Sequence, residues 1–203
     1  MTEILWHGRG GQGAFTAAKL LGAAYSLSEG QFALAFPSFG PERRGAPILA
    51  FTKLDSKQIG DRSQIKKADY VIYLDNTLFS SAAFNEIKEG GKILINSKRS
   101  QEDFLKVVST SSTTAEVRPS VEPVENIGRS VEQLITFDAD SLALEILKMP
   151  VTNTVMLALL AKLSGVVTEE QLAAAIEEYM PGKIAAKNIV LVGEVFKRAG
   201  GNV

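Results

Sequence analysis

Apolar residues in the first half of the chain come in short runs divided by amphipathic stretches. Ile4–Trp6, Phe32–Phe36, Ile48–Phe51, Tyr70–Leu74 and Ile93–Ile95 have the length and composition of strands. Ala14–Leu27 and Leu78–Lys88 read as helices between them, and Gly90-Gly91 as the stop of the second. Such alternation predicts an α/β fold, a Rossmann-like, mainly parallel sheet flanked by helices. Residues 108–130 are polar and rich in Ser, Thr, Pro and Glu. There Val108–Thr114 reads as a loop, Ala115–Arg118 as a candidate short strand and the rest as an exposed connection. Leu134–Phe137 reads as a further strand, with Asp138 and Asp140 placed to cap a helix over Ser141–Lys148.

From about residue 150 the pattern turns helical. Thr152–Leu163 is apolar nearly all round, which predicts burial on more than one side and surfaces covered in a complex. Gly165 is placed as its C-terminal stop. Thr168 and Gln171 have capping-box spacing, with Val167 and Leu172 set as a hydrophobic staple, so a helix is predicted over Glu169–Glu178. Pro181 opens a final helix carrying Ile184, Leu191, Val192, Val195 and Phe196, with Lys197 and Arg198 near its negative end. The 203 residues suit one domain, 1–203, with a helical C-terminal part.

Net charge is −1, so no basic excess draws the chain to nucleic acid. No apolar run reaches membrane-spanning length, and no basic-then-apolar leader opens the sequence, which makes a cytoplasmic location the expectation. The chain has no cysteine, and therefore neither a disulfide nor a cysteine-ligated iron–sulfur cluster. His7 is the single histidine, too few for a histidine-rich zinc site, and no Ser-His-Asp or Cys-His set is evident. Any demanding redox chemistry then needs a metal on another chain.

Two loops carry candidate chemistry. Residues 8–13, Gly-Arg-Gly-Gly-Gln-Gly, lie between the first strand and the first helix. Gly8, Gly10 and Gly13 satisfy G-x-G-x-x-G, a spacing that lets the backbone turn sharply and aims free N–H groups at an anion. A dinucleotide fold also wants an acid at the end of its second strand, about 20 residues on. Here that strand runs into Pro37, and Glu29 and Glu42 lie to either side of it. A phosphate contact and a purely structural tight turn both fit. Residues 36–47 form the second loop, with three prolines and the pair Arg43-Arg44. It should emerge at the carboxyl edge of the sheet, where α/β proteins bind ligands, and its arginines suit a bidentate phosphate or carboxylate, or a subunit contact. Asn153 either caps the helix beginning near Thr154 or faces a ligand. His7 reads as a hydrogen-bonded structural residue.

The glycine loop and Phe36–Pro47 together resemble the gamma subunit of 2-oxoacid:ferredoxin oxidoreductases, the family that includes pyruvate synthase. The likeness continues through residues 68–75 (Ala-Asp-Tyr-Val-Ile-Tyr-Leu-Asp), residues 150–157 (Pro-Val-Thr-Asn-Thr-Val-Met-Leu) and Lys187-Asn188. It covers nearly the whole chain in order and is weakest over 108–133. The resemblance implies a multisubunit enzyme that oxidatively decarboxylates a 2-oxoacid with coenzyme A, giving acyl-CoA, carbon dioxide and reduced ferredoxin. It implies thiamine diphosphate between the alpha and beta subunits, and iron–sulfur clusters on beta and on a ferredoxin-like delta chain. This chain would hold none of these alone and would sit close to coenzyme A. Gly8, Arg9, Gly10, Gly11, Gln12 and Gly13, then Ser38, Gly40, Glu42, Arg43, Arg44 and Gly45, then Asn153, are the ligand-facing candidates carried over by position. The small subunit of the indolepyruvate enzyme, a free-standing nucleotide-binding protein of Rossmann type and a scaffold whose glycine loop binds nothing remain as alternatives.

Overall fold

The structure, a computed structural model, describes residues 1–38, 44–111 and 133–199, the side chains of 107–111 excepted. Six strands form one sheet: β1 (Thr2–Arg9), β2 (Phe32–Pro37), β3 (Pro47–Asp55), β4 (Ala68–Tyr73), β5 (Ile87–Asn96) and β6 (Leu134–Phe137), in the order β2-β3-β1-β4-β5-β6. β1, β4, β5 and β6 pair in parallel. β3 is the one reversed strand, antiparallel to both β1 and β2. The expected mainly parallel sheet is therefore present, with a single antiparallel insertion.

The larger core lies on one face of the sheet. Ile4, Trp6, Ala50, Leu54, Ile72 and Leu94 meet helices α1 (Ala14–Tyr25), α3 (Ala139–Leu147), α4 (Asn153–Ser164), α5 (Glu169–Tyr179) and α6 (Gly182–Arg198). Trp6 ties three elements of this core together. Its indole N–H donates to Thr52 Oγ1 at 3.1 Å, and that hydroxyl donates to the Ala18 carbonyl at 3.2 Å. Side chains alternate along a strand, so Leu5, Phe51, Val71, Tyr73, Ile93 and Ile95 face the other way. They pack with Phe104 of α2 (Gln101–Ser111), Ile65 of the β3–β4 loop, and Ala83 of the second of two 3₁₀ turns, Asn76–Leu78 and Ser81–Asn85.

α4 is apolar all round because it is the central helix of the larger core. Residues 153–161 are all buried within this chain, among α1, α3, α5 and α6. The expectation that a partner covers this helix is thus corrected. The C-terminal stop at Gly165 and the capping box of Thr168 and Gln171 stand as expected, with Val167 and Leu172 both buried. Asp138 caps α3 by accepting from Ser141 N at 3.0 Å, whereas Asp140 accepts instead from Asn96 Nδ2 at 3.2 Å. Pro181 sits just before the first residue of α6.

Two further expectations are corrected. No helix spans Leu78–Lys88: the 3₁₀ turns occupy that stretch and β5 has begun by Ile87. Gly90 and Gly91 lie inside β5, where its pairing with β4 shifts register. Phe79 and Phe84 supplied the apolar spacing that resembles a helix, but both pack as an aromatic cluster with Tyr73 and Phe104. Val108–Ser111 are the last turn of α2 rather than loop. The overlooked signal is Ser100 with Asp103, which exchange capping bonds of 3.4 and 3.3 Å. Residues 112–132, with the candidate strand Ala115–Arg118, lie outside the described residues.

Candidate functional site

The chain leaves β1 toward β2 and β3 on one side and returns to β4 on the other. Loops at such a reversal diverge and leave a crevice at the carboxyl ends of the strands. A pocket of about 360 Å³ lies there. Gly11 and Gln12 line it from the β1–α1 loop, Leu74–Asn76 from the end of β4, Asn96 from the end of β5, Asp140 from α3, and Pro150–Thr152 from the entry to α4.

Two helices start at this crevice without a side-chain cap. α1 begins after Gly13, and its first helical bond is Ala17 N to the Gly13 carbonyl at 3.0 Å. α4 begins after Thr152, and its first is Met156 N to the Thr152 carbonyl at 3.0 Å. The N–H groups before those bonds have no acceptor within their helix, and both dipoles present their positive ends. A third helix, α3, brings Asp140 of its first turn to the same pocket.

Gly13 has φ of 79°, a left-handed conformation that side chains adopt only with strain. Asn153 fills the space a Cβ would need: its Nδ2 would lie 2.6 Å from one. That amide donates to the Gly13 carbonyl at 3.3 Å, and Asn153 Oδ1 is buried with no donor among the described residues. So Asn153 does not cap its own helix. It braces the glycine turn from across the chain.

The other candidates separate by what they touch. Gln12 Oε1 accepts from Arg9 N at 2.7 Å, which closes the glycine loop. Arg9 does not line the pocket itself but holds its wall, with Nε on Asp75 Oδ2 at 2.8 Å, Nη2 on Thr77 Oγ1 at 2.8 Å and Nη1 on the Gly45 carbonyl at 3.1 Å. Burial pushes the Asp75 carboxyl up, but the Thr77 bonds and the Arg9 guanidinium together hold it below the usual carboxylate range. Gly8 is crowded, since a Cβ there would stand 3.2 Å from that of Ala14. Gly10 N donates to the Ala46 carbonyl at 2.8 Å, and Gly45 N to the Gly10 carbonyl at 3.0 Å, so the arginine loop is laced to the glycine loop. Arg44 is exposed at that junction, while Gly40, Glu42 and Arg43 lie outside the described residues. Ser38 braces the β2–β3 hairpin, with Ser38 N on the Leu49 carbonyl at 2.8 Å and its Oγ accepting from Leu49 N at 3.4 Å. His7 is hydrogen-bonded as expected: it stacks on Tyr73 and its Nε2 lies 2.9 Å from Glu86 Oε2. Burial and the neighbouring Glu86 push the Tyr73 phenol far up, so it stays a neutral donor.

Topology explains the missing ribose-binding acid. β2 is not beside β1, because reversed β3 takes that place, and at the carboxyl edge β3 only begins, at Pro47 opposite Arg9. Sequence reasoning missed Asp75, Asn76, Asn96, Asp140 and Thr152 as pocket residues. The signal was present: Asp75 and Asn96 each directly follow the apolar run of a strand, and Asn76 comes next after Asp75.

A family model for pyruvate ferredoxin/flavodoxin oxidoreductase matches residues 3–198. The chain belongs to that family. It is 38% identical over 199 residues to the common gamma subunit of the pyruvate/ketoisovalerate oxidoreductases of Thermococcus litoralis, covering 98% of this chain and 97% of that one. It is 39% identical over 189 residues to pyruvate synthase subunit PorC of Methanothermobacter marburgensis, covering 93% and 92%. The crystal structure of the pyruvate oxidoreductase subunit PORC of Thermotoga maritima superposes with a TM-score of 0.74 at 29% identity, covering 97% of this chain and 95% of that one. These relatives are oxidoreductase subunits of nearly the same length, so the fold described above is that of a subunit. No helix among the described residues is long and apolar enough to cross a membrane.

Proposed function

We propose that this chain is the gamma subunit of a 2-oxoacid:ferredoxin oxidoreductase, with pyruvate or a related 2-oxoacid as substrate of the whole complex, and that its crevice receives the phosphates of coenzyme A. The observation that carries the reading is the convergence of the glycine loop and two uncapped helix starts on one pocket at the sheet reversal. An anion is favoured on the side of Gly11–Gly13, where N–H groups and the α1 dipole point. Asp75 does not repel it, because Arg9 and Thr77 hold that carboxylate. Asp140 and Asn96 stand on the far side and suit neutral polar groups of the ligand. Arg44 is the exposed cation beside the loop, available to a phosphate or to a neighbouring subunit.

The chain binds and orients, and the redox and decarboxylation chemistry belongs to its partners. With no cysteine it cannot hold a cysteine-ligated cluster. The family resemblance implies thiamine diphosphate and iron–sulfur centres on alpha, beta and delta subunits, with ferredoxin as acceptor. Purified alone, the chain is expected to be colourless and to form no acyl-CoA from a 2-oxoacid. Acyl-CoA formation by this chain alone would overturn the assignment.

Gly11→Ala tests the crevice directly. Gly11 has φ of 94° and open space around its missing Cβ. The substitution therefore adds backbone strain of about 1–2 kcal/mol and a methyl group on the pocket wall, with no internal clash. The assembled variant complex is expected to show a raised KM for coenzyme A and an unchanged KM for the 2-oxoacid. Unchanged coenzyme A kinetics in an assembled complex would favour a purely structural turn.

A further inference from the structure

The loop joining β3 to β4, residues 56–67, lies at the opposite edge of the sheet from the crevice, because β3 runs backwards. Lys57, Arg62, Lys66 and Lys67 on this loop are all exposed, and none forms a salt bridge with a carboxylate among the described residues. The neighbouring carboxylates are already used. Asp55 takes the Met1 ammonium at 3.3 Å, and Glu3 and Asp69 share Lys88 at 3.0 and 2.8 Å. Asp61, the loop's own acid, is taken from beneath by Lys53 at 2.6 Å.

That last pair is unusual. Lys53 is only 1% exposed, on the strand face opposite Thr52. Its Nζ also donates to the Asp61 carbonyl at 3.3 Å, and Asp61 accepts from Ser63 N and Ser63 Oγ, both at 2.9 Å. Ile65 anchors the next turn in the smaller core. A buried ammonium is costly and adds little net stability, since an apolar residue of similar size usually serves as well. What the pair does here is fix the shape of an exposed loop and cancel its one negative charge. The result is an exposed surface whose four cations have no carboxylate partner among the described residues, on a chain whose net charge is −1.

We infer that residues 56–67 form a docking surface for an acidic patch on another polypeptide of the complex. The inference rests on the chain working as a subunit, but not on the crevice binding coenzyme A. Charge complementarity selects the partner: exposed cations beside Asp55, Asp61, Glu3 and Asp69, each holding another cation, leave an attraction that a foreign acid meets. A protein fits better than nucleic acid, because the loop has no aromatic side chain for base stacking and the chain has no wider basic excess. A membrane surface fits worse, because Ile65 is buried and no large apolar side chain of the loop is exposed for insertion.

Carbodiimide coupling, which joins a lysine amine to a touching carboxylate, tests this in the assembled complex. Lys57, Lys66 or Lys67 is expected to couple to an Asp or Glu of a different subunit. The variant K57Q/R62Q/K66Q/K67Q is expected to weaken association with that subunit about tenfold at low salt and to flatten its salt dependence, with the melting temperature of the chain and the KM for coenzyme A unchanged. Lys53→Met should keep the chain folded but reduce the coupling yield, because the loop is no longer held. Three results overturn the proposal: no coupling of these lysines to another subunit, coupling only between two copies of this chain, or unchanged association of the four-residue variant. Tighter binding of the isolated chain to duplex DNA or to phosphatidylglycerol vesicles than to polyglutamate, abolished by the same variant, also overturns it in favour of those surfaces.

Discussion

Gly13→Ala is expected to lower the stability of the chain by about 2–3 kcal/mol. Two independent costs add. The residue sits at φ of 79°, where a side chain strains the backbone by roughly 1–2 kcal/mol. The new methyl carbon would also stand 2.6 Å from Asn153 Nδ2 and 3.0 Å from its Cγ. Asn153 is buried at the start of α4, so it can yield only by giving up its bond to the Gly13 carbonyl, a further loss of about 1 kcal/mol. Chemical denaturation of the isolated chain measures the sum. Gly11→Ala is the control, since it carries the strain without the clash. If the two variants lose the same stability, the contact with Asn153 does not matter and the brace across the chain is wrong.

Arg9→Met should have the next largest effect, about 2 kcal/mol, after allowance for the partial exposure of the guanidinium. It removes three hydrogen bonds that tie the glycine loop to Asp75, Thr77 and the arginine loop, while keeping most of the aliphatic stem. The pH dependence has a definite sign. A carboxyl whose folded pKa is lowered stabilises the fold fully above its unfolded value of ~3.9, and the contribution fades as pH falls through the lower folded value. Without Arg9 the folded value of Asp75 rises, so acid unfolding should begin at a higher pH in the variant. Fluorescence of Trp6, read during acid titration of both proteins, checks this. Coincident acid transitions would show that Thr77 alone holds Asp75.

Local signals made much of this fold legible. Leu134–Phe137 reads as a strand from its apolar run and the carboxylates after it, and it is one. The Thr168–Gln171 box specified the start of α5 because capping is a contact between neighbours in sequence. What failed to show was whatever depends on partners far along the chain. Phe79 and Phe84 have a spacing that suits a helix, but Phe79 is held by Tyr73 at the end of β4 and by Phe104, and Phe84 packs on Phe79. The apolar girth of α4 says that the helix is surrounded, but not whether by its own chain or another, and here it is its own. The candidate site divides the same way. The glycine loop announces itself in six consecutive letters, whereas Asp75, Asn96 and Asp140 converge only because three parallel strands end together. Reversal of β3 was hidden for a related reason, since β2 and β3 have similar apolar runs and direction is set by pairing.

The register of β3 limits how this chain can change over evolutionary time. Thr52 must face Trp6 and Lys53 must face Asp61, and adjacent strand residues point to opposite sides. Deleting one residue between Pro47 and Thr52 would shift the rest of the strand by one, driving the Lys53 ammonium toward the Trp6 indole and the apolar Leu54 under the loop. The same slip would unpair Leu54 from Thr2 while Pro47 stays opposite Arg9. Inherited insertions and deletions are therefore expected after Asp55, but not between Pro47 and Asp55. A deletion scan across residues 47–60, scored by soluble yield, should show that interval as a sharp gap before a tolerant margin.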